Sequence, residues 1–193
     1  SVGPCGRGGR PLYPRPPGPV SRWESLVLGR GKKVNAVAFR AALMALVQRL
    51  LKEAGGNPEL AEEMLKESGR GVAQYVYAAY AVEGKSLPPS CDKLPDAIAR
   101  FLRWLLGRSP DAVDARREGN RLTVSFRFSE CPVCGNPPFS PGVKLGAFFA
   151  GLLEWMMEQK LDEWAAERVS CGEVSCLAKG GEACEWEAVV VFK

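Results

Sequence analysis

The placement of the cysteines constrains this chain more than any other feature of its sequence. Five of the seven cysteines follow residue 130, and four of them form two close pairs, Cys131 with Cys134 and Cys176 with Cys184. The first pair is a C-x-x-C motif, and the second flanks the turn signal Gly180-Gly181. Two turns that each carry two thiolates can close a tetrahedral site of the kind that holds structural zinc. We therefore predict that these four cysteines are metal ligands and that zinc is a structural cofactor.

Other chemistry for the same cysteines stays open at this stage. A disulfide could link Cys176 to Cys184 across a hairpin, Cys131 and Cys134 could be a redox pair, or all four could be inert buried thiols. The odd number of cysteines, and an N-terminus without the apolar stretch of a secretory signal, argue against an exported disulfide framework. We therefore expect a cytoplasmic protein. Two further residues are reserve ligands: Glu173 and Cys171.

The absence of histidine limits the chemistry that this chain can perform. With no histidine in the sequence, the commonest general base and every Ser-His or Cys-His dyad are missing. No glycine-rich nucleotide loop is evident either. We therefore name no catalytic residue, and a zinc-dependent enzyme or reductase is the least favoured of the functions considered.

The positive charge of the chain lies mainly at its beginning. The net charge is +4, and residues 1–33 alone carry +6, so the remainder carries about −2. A domain that binds nucleic acid usually clusters basic residues on its folded surface. We therefore do not expect nucleic-acid binding by the folded part of the chain.

Hydrophobic periodicity divides the chain into a helical part and a mixed part. Apolar residues at helical spacing mark five helices: 34–54, 57–68, 71–82, 94–107 and 142–161. Gly69 is expected to end the second of them. Strict alternation over 121–128 predicts a strand that forms a hairpin with 112–117, and a second hairpin is predicted over 167–192. The fold class is therefore α+β, with N-terminal helices packed on one face of a four-stranded, mainly antiparallel sheet and a helix between two hairpins.

The composition also predicts how the chain is divided. Residues 1–20 are rich in Pro, Gly and Arg and cannot bury enough apolar surface to fold, so we expect a flexible arm followed by a single ligand-binding-type domain over 21–193. The most apolar stretch, 142–157, is interrupted by Lys144 and Glu154. We therefore expect no membrane-spanning segment.

Two segments of the C-terminal third resemble the vinyl-4-reductase-type, or hydrocarbon-binding, domain family. They are GVKLGAFFAG, which begins at Gly142, and EVSCLAKGGEAC, which begins at Glu173. The family pattern is a Gly-x-x-x-Gly helix, then Glu-Val-x-Cys, a glycine turn, and a second cysteine eight positions after the first. The resemblance covers roughly residues 120–192. Relatives of this family include phenol-sensing domains of bacterial transcription activators and TRAPP transport-complex subunits.

The resemblance implies an α+β fold, a homodimer, and an enclosed apolar pocket for a small hydrophobic or aromatic ligand. In the phenol sensors, the positions that match Glu173, Cys176 and Cys184 hold zinc together with one upstream cysteine. This chain differs because it has an upstream pair and a longer stretch before Glu173. In an unbroken strand Glu173 and Cys176 would point to opposite faces, so joint ligation requires a bulge, which we place at Gly172.

The residues predicted to line the ligand pocket are bulky and apolar and lie mostly on the 142–161 helix: Phe148, Phe149, Leu152, Trp155, Met156 and Tyr75. Residues of this kind at helical spacing also form ordinary cores.

Two functions are therefore favoured over an enzyme. The favoured one is a sensor-type domain that binds a small apolar molecule and carries structural zinc. The alternative is a non-catalytic dimeric interaction module that resembles the transport-complex subunits.

Overall fold

A computed structural model describes residues 36–134 and 142–193, with side chains from residue 40 onward. The arm predicted for residues 1–20 lies outside these described residues. In chain order the elements are: α1 (Ala36–Glu53), α2 (Pro58–Val82), α3 (Leu94–Leu106), β1 (Ala112–Glu118), β2 (Arg121–Phe128), α4 (Ala147–Glu158), β3 (Ala166–Ser175) and β4 (Cys184–Phe192). The predicted α+β class, with one helix between two hairpins, is confirmed.

The four strands form one antiparallel sheet in the order β1-β2-β4-β3. In β2 every second side chain from Leu122 to Phe128 is buried, which is the two-residue period that the sequence predicted. The first hairpin turns at Gly119-Asn120, as predicted. The second contains a short 3₁₀ helix, Leu177–Lys179, followed by Gly180 at φ +84°. The edge strand β1 is exposed along almost its whole length.

The prediction that Gly69 ends a helix is wrong. A single helix, α2, runs through it from Pro58 to Val82. A Cβ atom at Gly69 would lie 1.9 Å from the carbonyl oxygen of Phe148 on α4, so glycine is required there for the close approach of two backbones. The predicted start of α2 is confirmed, because the side chain of Asn57 accepts a hydrogen bond from the backbone N–H of Leu60.

The helix α4 is shorter than the predicted 142–161. It begins at Ala147, five residues after Gly142, which adopts a left-handed conformation at φ +75°, and it ends at Glu158 before a series of turns. This helix packs against α2 on one side and against β3 on the other, while α3 contacts β1 and β2. Most residues of α4 are buried, as expected of a helix that is apolar on nearly all of its faces. Among the described residues, no helix has the length and apolar character needed to cross a membrane.

Candidate metal centre

The four predicted cysteine ligands meet at one end of the sheet. Cys184 is the first residue of β4 and pairs in register with Phe128, the last residue of β2. The turn after β2 carries Cys131 and Cys134, and Cys176 follows directly on the end of β3. Because β2, β4 and β3 are neighbours in the sheet, two turns that are distant in sequence bring their thiols together. All four cysteines are buried.

The sulfur atoms are close, but they are not bonded to one another. The Sγ of Cys134 lies 3.4 Å from that of Cys184 and 3.7 Å from that of Cys176, and the sulfurs of Cys176 and Cys184 are 3.9 Å apart. Cys131, Cys134 and Cys184 also form a group whose sulfur atoms all lie within 4.8 Å of one another. A disulfide bond is about 2.05 Å long. All six cysteines in the described part of the chain are free thiols, so this group could hold a metal ion.

The close contacts among the four thiols shift their pKa values in opposite directions. Hydrogen bonds from Cys134 and Cys184 lower the pKa of Cys176 to about 2 and the pKa of Cys131 to about 4. The same hydrogen bonds, that to Cys131 first, raise the pKa values of the donors Cys134 and Cys184. The four cysteines therefore share their protons through one network of hydrogen bonds. A divalent cation can take the place of those protons, because a coordinating thiol loses its proton.

Glu173 lies beside this cluster because the strand is irregular. The register of β3 on β4 shifts between Glu173 and Ser175, which places the irregularity at Val174, and Val174 is 52% exposed. The bulge that we predicted at Gly172 is therefore wrong in position, since Gly172 pairs regularly with Glu187. The shift brings the carboxylate of Glu173 within 4.8 Å of the sulfurs of Cys176 and Cys184.

The carboxyl group of Glu173 is buried and only half satisfied. Its Oε2 accepts a hydrogen bond of 2.8 Å from the backbone N–H of Gly146, whereas its Oε1 has no partner among the described residues. Burial, and then the negative charge of Cys176, raise the pKa of Glu173 to about 10. The surroundings of Glu173 therefore favour a protonated carboxyl group beside the cysteines over a fifth, negatively charged ligand.

The walls of the cluster explain a glycine whose role the sequence did not reveal. A Cβ atom at Gly146 would lie 2.4 Å from the ring of Trp186 and 2.6 Å from the carboxyl carbon of Glu173. Trp186 donates a hydrogen bond of 3.1 Å to the carbonyl oxygen of Gly146 and stacks on Phe126 at 5.6 Å. Gly146 therefore links the start of α4 to the cysteine end of the sheet.

The other predicted site residues have different surroundings. The reserve ligand Cys171 is buried outside both groups that could hold a metal, its backbone N–H binds Glu154, and burial raises the pKa of its thiol to about 12. Of the predicted pocket residues, three are buried in the core: Phe149, Leu152 and Met156. Phe148 and Trp155 are half-buried against that core. Tyr75 is 70% exposed on α2 and does not join them.

Comparison with known proteins identifies the fold but no family. No family model matches the chain, and no curated protein matches its sequence. A trafficking protein particle complex subunit 3 from Naegleria fowleri, covalently bound to palmitic acid, is similar with a TM-score of 0.57 and 17% identity, over 84% of this chain and 99% of that one. At this identity the likeness shows a shared fold alone.

Two further solved structures give lower scores. The phenol-responsive sensory domain of the transcription activator PoxR, with phenol, gives a TM-score of 0.46 at 13% identity, over 81% of this chain and 75% of that one. A variant H-NOX domain from T. Tengcongensis gives 0.46 at 14% identity, over 90% of this chain and 87% of that one. These two likenesses add nothing to the assignment of the fold.

Proposed function

We propose that this chain is a sensor-type domain that binds a small hydrophobic or aromatic molecule and that a structural zinc ion holds the cysteine end of its sheet. The proposed ligands are Cys131, Cys134, Cys176 and Cys184, with Glu173 as a neighbour. The observation that carries the proposal is the spacing of the sulfur atoms. Zinc–sulfur bonds of about 2.3 Å in a tetrahedron separate the sulfurs by about 3.8 Å. The three distances among Cys134, Cys176 and Cys184 are 3.4, 3.7 and 3.9 Å.

The donor set also favours zinc in a structural role. Four thiolates without histidine suit zinc, and a closed four-sulfur site leaves no position for water. Bound zinc would neutralise the charge of its thiolate ligands at this end of the sheet, where Phe128 and Trp186 form an edge-to-face pair at 5.8 Å. It would tie the turn after β2 to the hairpin of β3 and β4, and so contribute to folding.

The proposed metal site is tested by measuring how much zinc and how many free thiols each chain carries. Native mass spectrometry and elemental analysis of the full chain should give one zinc per chain, and an added chelator should lower the melting temperature. Thiol titration of denatured, unreduced protein should find all seven cysteines of the sequence free. A chain without bound metal, or with fewer than seven free thiols, would refute the zinc site. The proposal of an apolar ligand would then depend on its own test.

Two features support a small apolar ligand. The fold is shared with a protein that is covalently bound to palmitic acid. The interior beside α4 includes Met156 and Met157, which are fully buried. Methionine side chains are flexible and can adapt to an apolar guest. Because Leu152 and Met156 are 1% and 0% exposed, such a guest would enter by displacing core side chains.

The ligand half is tested separately from the metal. Purified chain is extracted with organic solvent, and the extract is examined by mass spectrometry for an apolar molecule. Stripped protein is then titrated with phenol and with a fatty acid, and its melting temperature is followed. We expect an increase with at least one of them while the zinc content stays constant. No extracted molecule and no shift with any apolar probe would remove the sensor function and leave the zinc site standing.

One observation favours the alternative of a dimeric interaction module. Residues 71–82 of α2 carry no charge, and Val72, Tyr75 and Val82 on this stretch are 37%, 70% and 73% exposed. Large exposed apolar side chains on one element often mark a contact with another protein. We propose that this face of α2 supports the predicted homodimer.

The dimer is tested by substitution on α2. Tyr75→Ser combined with Val82→Ser should convert a dimer into a monomer in size-exclusion chromatography with light scattering. The matched control is Gln74→Ser, an exposed neighbour on the same helix, which should leave the mass unchanged. A monomeric parent chain, or a dimer that survives the double substitution, would exclude this interface.

A further inference from the structure

A surface groove of about 550 Å³ lies where the chain after α2 passes the exposed side of α3. Its walls combine aromatic rings and positive charges: Tyr80, Lys85, Arg100, Arg103 and Trp104. None of these residues belongs to the cysteine cluster, to the predicted apolar pocket or to the exposed face of α2. The groove therefore requires its own explanation.

The aromatic side of the groove is held by ring contacts and a hydrogen bond. The rings of Tyr80 and Trp104 lie 5.0 Å apart, and Phe101 supports both from the core at 5.1 and 5.9 Å. The indole N–H of Trp104 is held by a hydrogen bond of 2.9 Å to Glu83. The ammonium group of Lys85 lies 5.9 Å from the centre of each of the rings of Tyr80 and Trp104. A flat apolar group can therefore pack here with little loss of side-chain entropy.

The charges of the groove are not balanced. Glu83 pairs with Lys85 at 2.5 Å, so this lysine is partly neutralised. Arg100 and Arg103 stand one turn apart on α3, both exposed, and neither forms an ion pair within the part of the chain that the structure describes. Two guanidinium groups beside an aromatic surface are suited to bind a carboxylate or a phosphate, because each can offer two parallel N–H donors.

A third polar group is available in the same place. The ring of Tyr80 is buried, and its hydroxyl makes no hydrogen bond to any residue that the structure describes. Because Tyr80 lines the groove and its hydroxyl oxygen is not buried, the hydroxyl can donate a hydrogen bond to an acceptor bound there. Burial raises the pKa of Tyr80, so the phenol remains a neutral donor near pH 7.

We propose that this groove binds a small organic anion in which a carboxylate or phosphate group is joined to a flat aromatic body. Arg100 and Arg103 bind the anionic group, the rings of Tyr80 and Trp104 pack against the body, and the Tyr80 hydroxyl donates a hydrogen bond. The volume of about 550 Å³ lies within the usual range for a small-molecule site. This second site would let the chain respond to a charged molecule independently of an apolar one.

The first experiment varies the probe. Full chain is titrated by calorimetry with 2-naphthoate, with 2-naphthyl phosphate, and with the uncharged 2-naphthalenemethanol. We expect saturable binding of at least one anion to one site per chain and binding of the neutral analogue that is at least tenfold weaker. Acetate and inorganic phosphate, which lack the aromatic body, should also bind at least tenfold more weakly. The tighter of the two anions identifies the preferred head group.

The second experiment removes the charges. The double variant Arg100→Gln/Arg103→Gln should weaken binding of the anion at least tenfold without changing the melting temperature, because both side chains are exposed. The matched control is Arg116→Gln/Arg121→Gln, which removes the same charge from two exposed arginines of the first hairpin. Equal affinity in the two double variants would overturn the proposal. So would the absence of saturable binding of either anion below about 1 mM.

Discussion

The contact between α2 and α4 holds polar groups that are half-buried and paired, whereas the cysteine end of the sheet holds polar groups that are buried and not all paired. In the contact, Glu154 binds Lys66 at 2.7 Å, Arg70 at 2.9 Å and the backbone N–H of Cys171 at 2.7 Å. At the cysteine end, Oε1 of Glu173 has no hydrogen-bond partner among the described residues, and the sulfur atoms of Cys134 and Cys176 lie 3.7 Å apart. A buried region that satisfies its own polar groups needs nothing further, whereas one that does not points to a bound group.

The largest effect on stability is expected at the cysteine end of the sheet. Cys134→Ser should abolish binding of one equivalent of zinc and reduce the free energy of unfolding by about 5 kcal/mol, because the loss of a structural metal ranks among the most destabilising changes. Elemental analysis and thermal unfolding measure the two effects. The control is Cys171→Ala, which changes a buried cysteine outside the cluster and should leave the zinc content intact. Equal zinc content in both variants would show that Cys134 is not a ligand.

The second largest effect on stability is expected in the contact between α2 and α4. Gly69→Ala should destabilise the chain by about 3 kcal/mol, since the new methyl group would meet the carbonyl oxygen of Phe148 at 1.9 Å and neither backbone can rotate away. Its control is two residues further along α2, where nothing lies within 4 Å of a Cβ on Gly71. Gly71→Ala should stabilise by about 0.5 to 1 kcal/mol. Similar effects at the two glycines in thermal unfolding would contradict the close contact.

A pair of matched substitutions compares the half-buried Glu154 with the buried Glu173. Glu154→Gln should cost about 2 kcal/mol, because it leaves Lys66 and Arg70 facing a neutral amide. Glu173→Gln should cost less than about 1 kcal/mol and should keep the zinc bound, since an amide resembles the protonated carboxyl group. Denaturant unfolding and zinc analysis check both. Loss of zinc from Glu173→Gln would make this residue a ligand in place of one of the cysteines.

Local patterns in the sequence predicted the parts of this structure that depend on near neighbours. The alternation from Leu122 to Phe128 predicted β2, since the two-residue period of a strand is visible in one segment. The turn signals at Gly119-Asn120 and Gly180-Gly181 predicted both hairpins, and the spacing of the two cysteine pairs predicted that the cysteine turns meet. Asn57 followed by Pro58 predicted the start of α2 in the same way.

The features that the sequence could not provide depend on distant neighbours. Whether Gly69 ends a helix or admits another backbone is decided by Phe148 on α4, about eighty residues later. The exposure of Tyr75 arises because no described element covers that side of α2, and helical spacing does not tell which face is covered. The groove beside Trp104 likewise forms only when the chain after α2 reaches α3.

The most direct test of the central proposal is zinc K-edge X-ray absorption on the full chain carrying one equivalent of zinc. We predict a single shell of four sulfur atoms at about 2.3 Å, without oxygen or nitrogen ligands. A shell that includes oxygen at about 2.0 Å, or a chain that retains no zinc, would contradict the four-cysteine site.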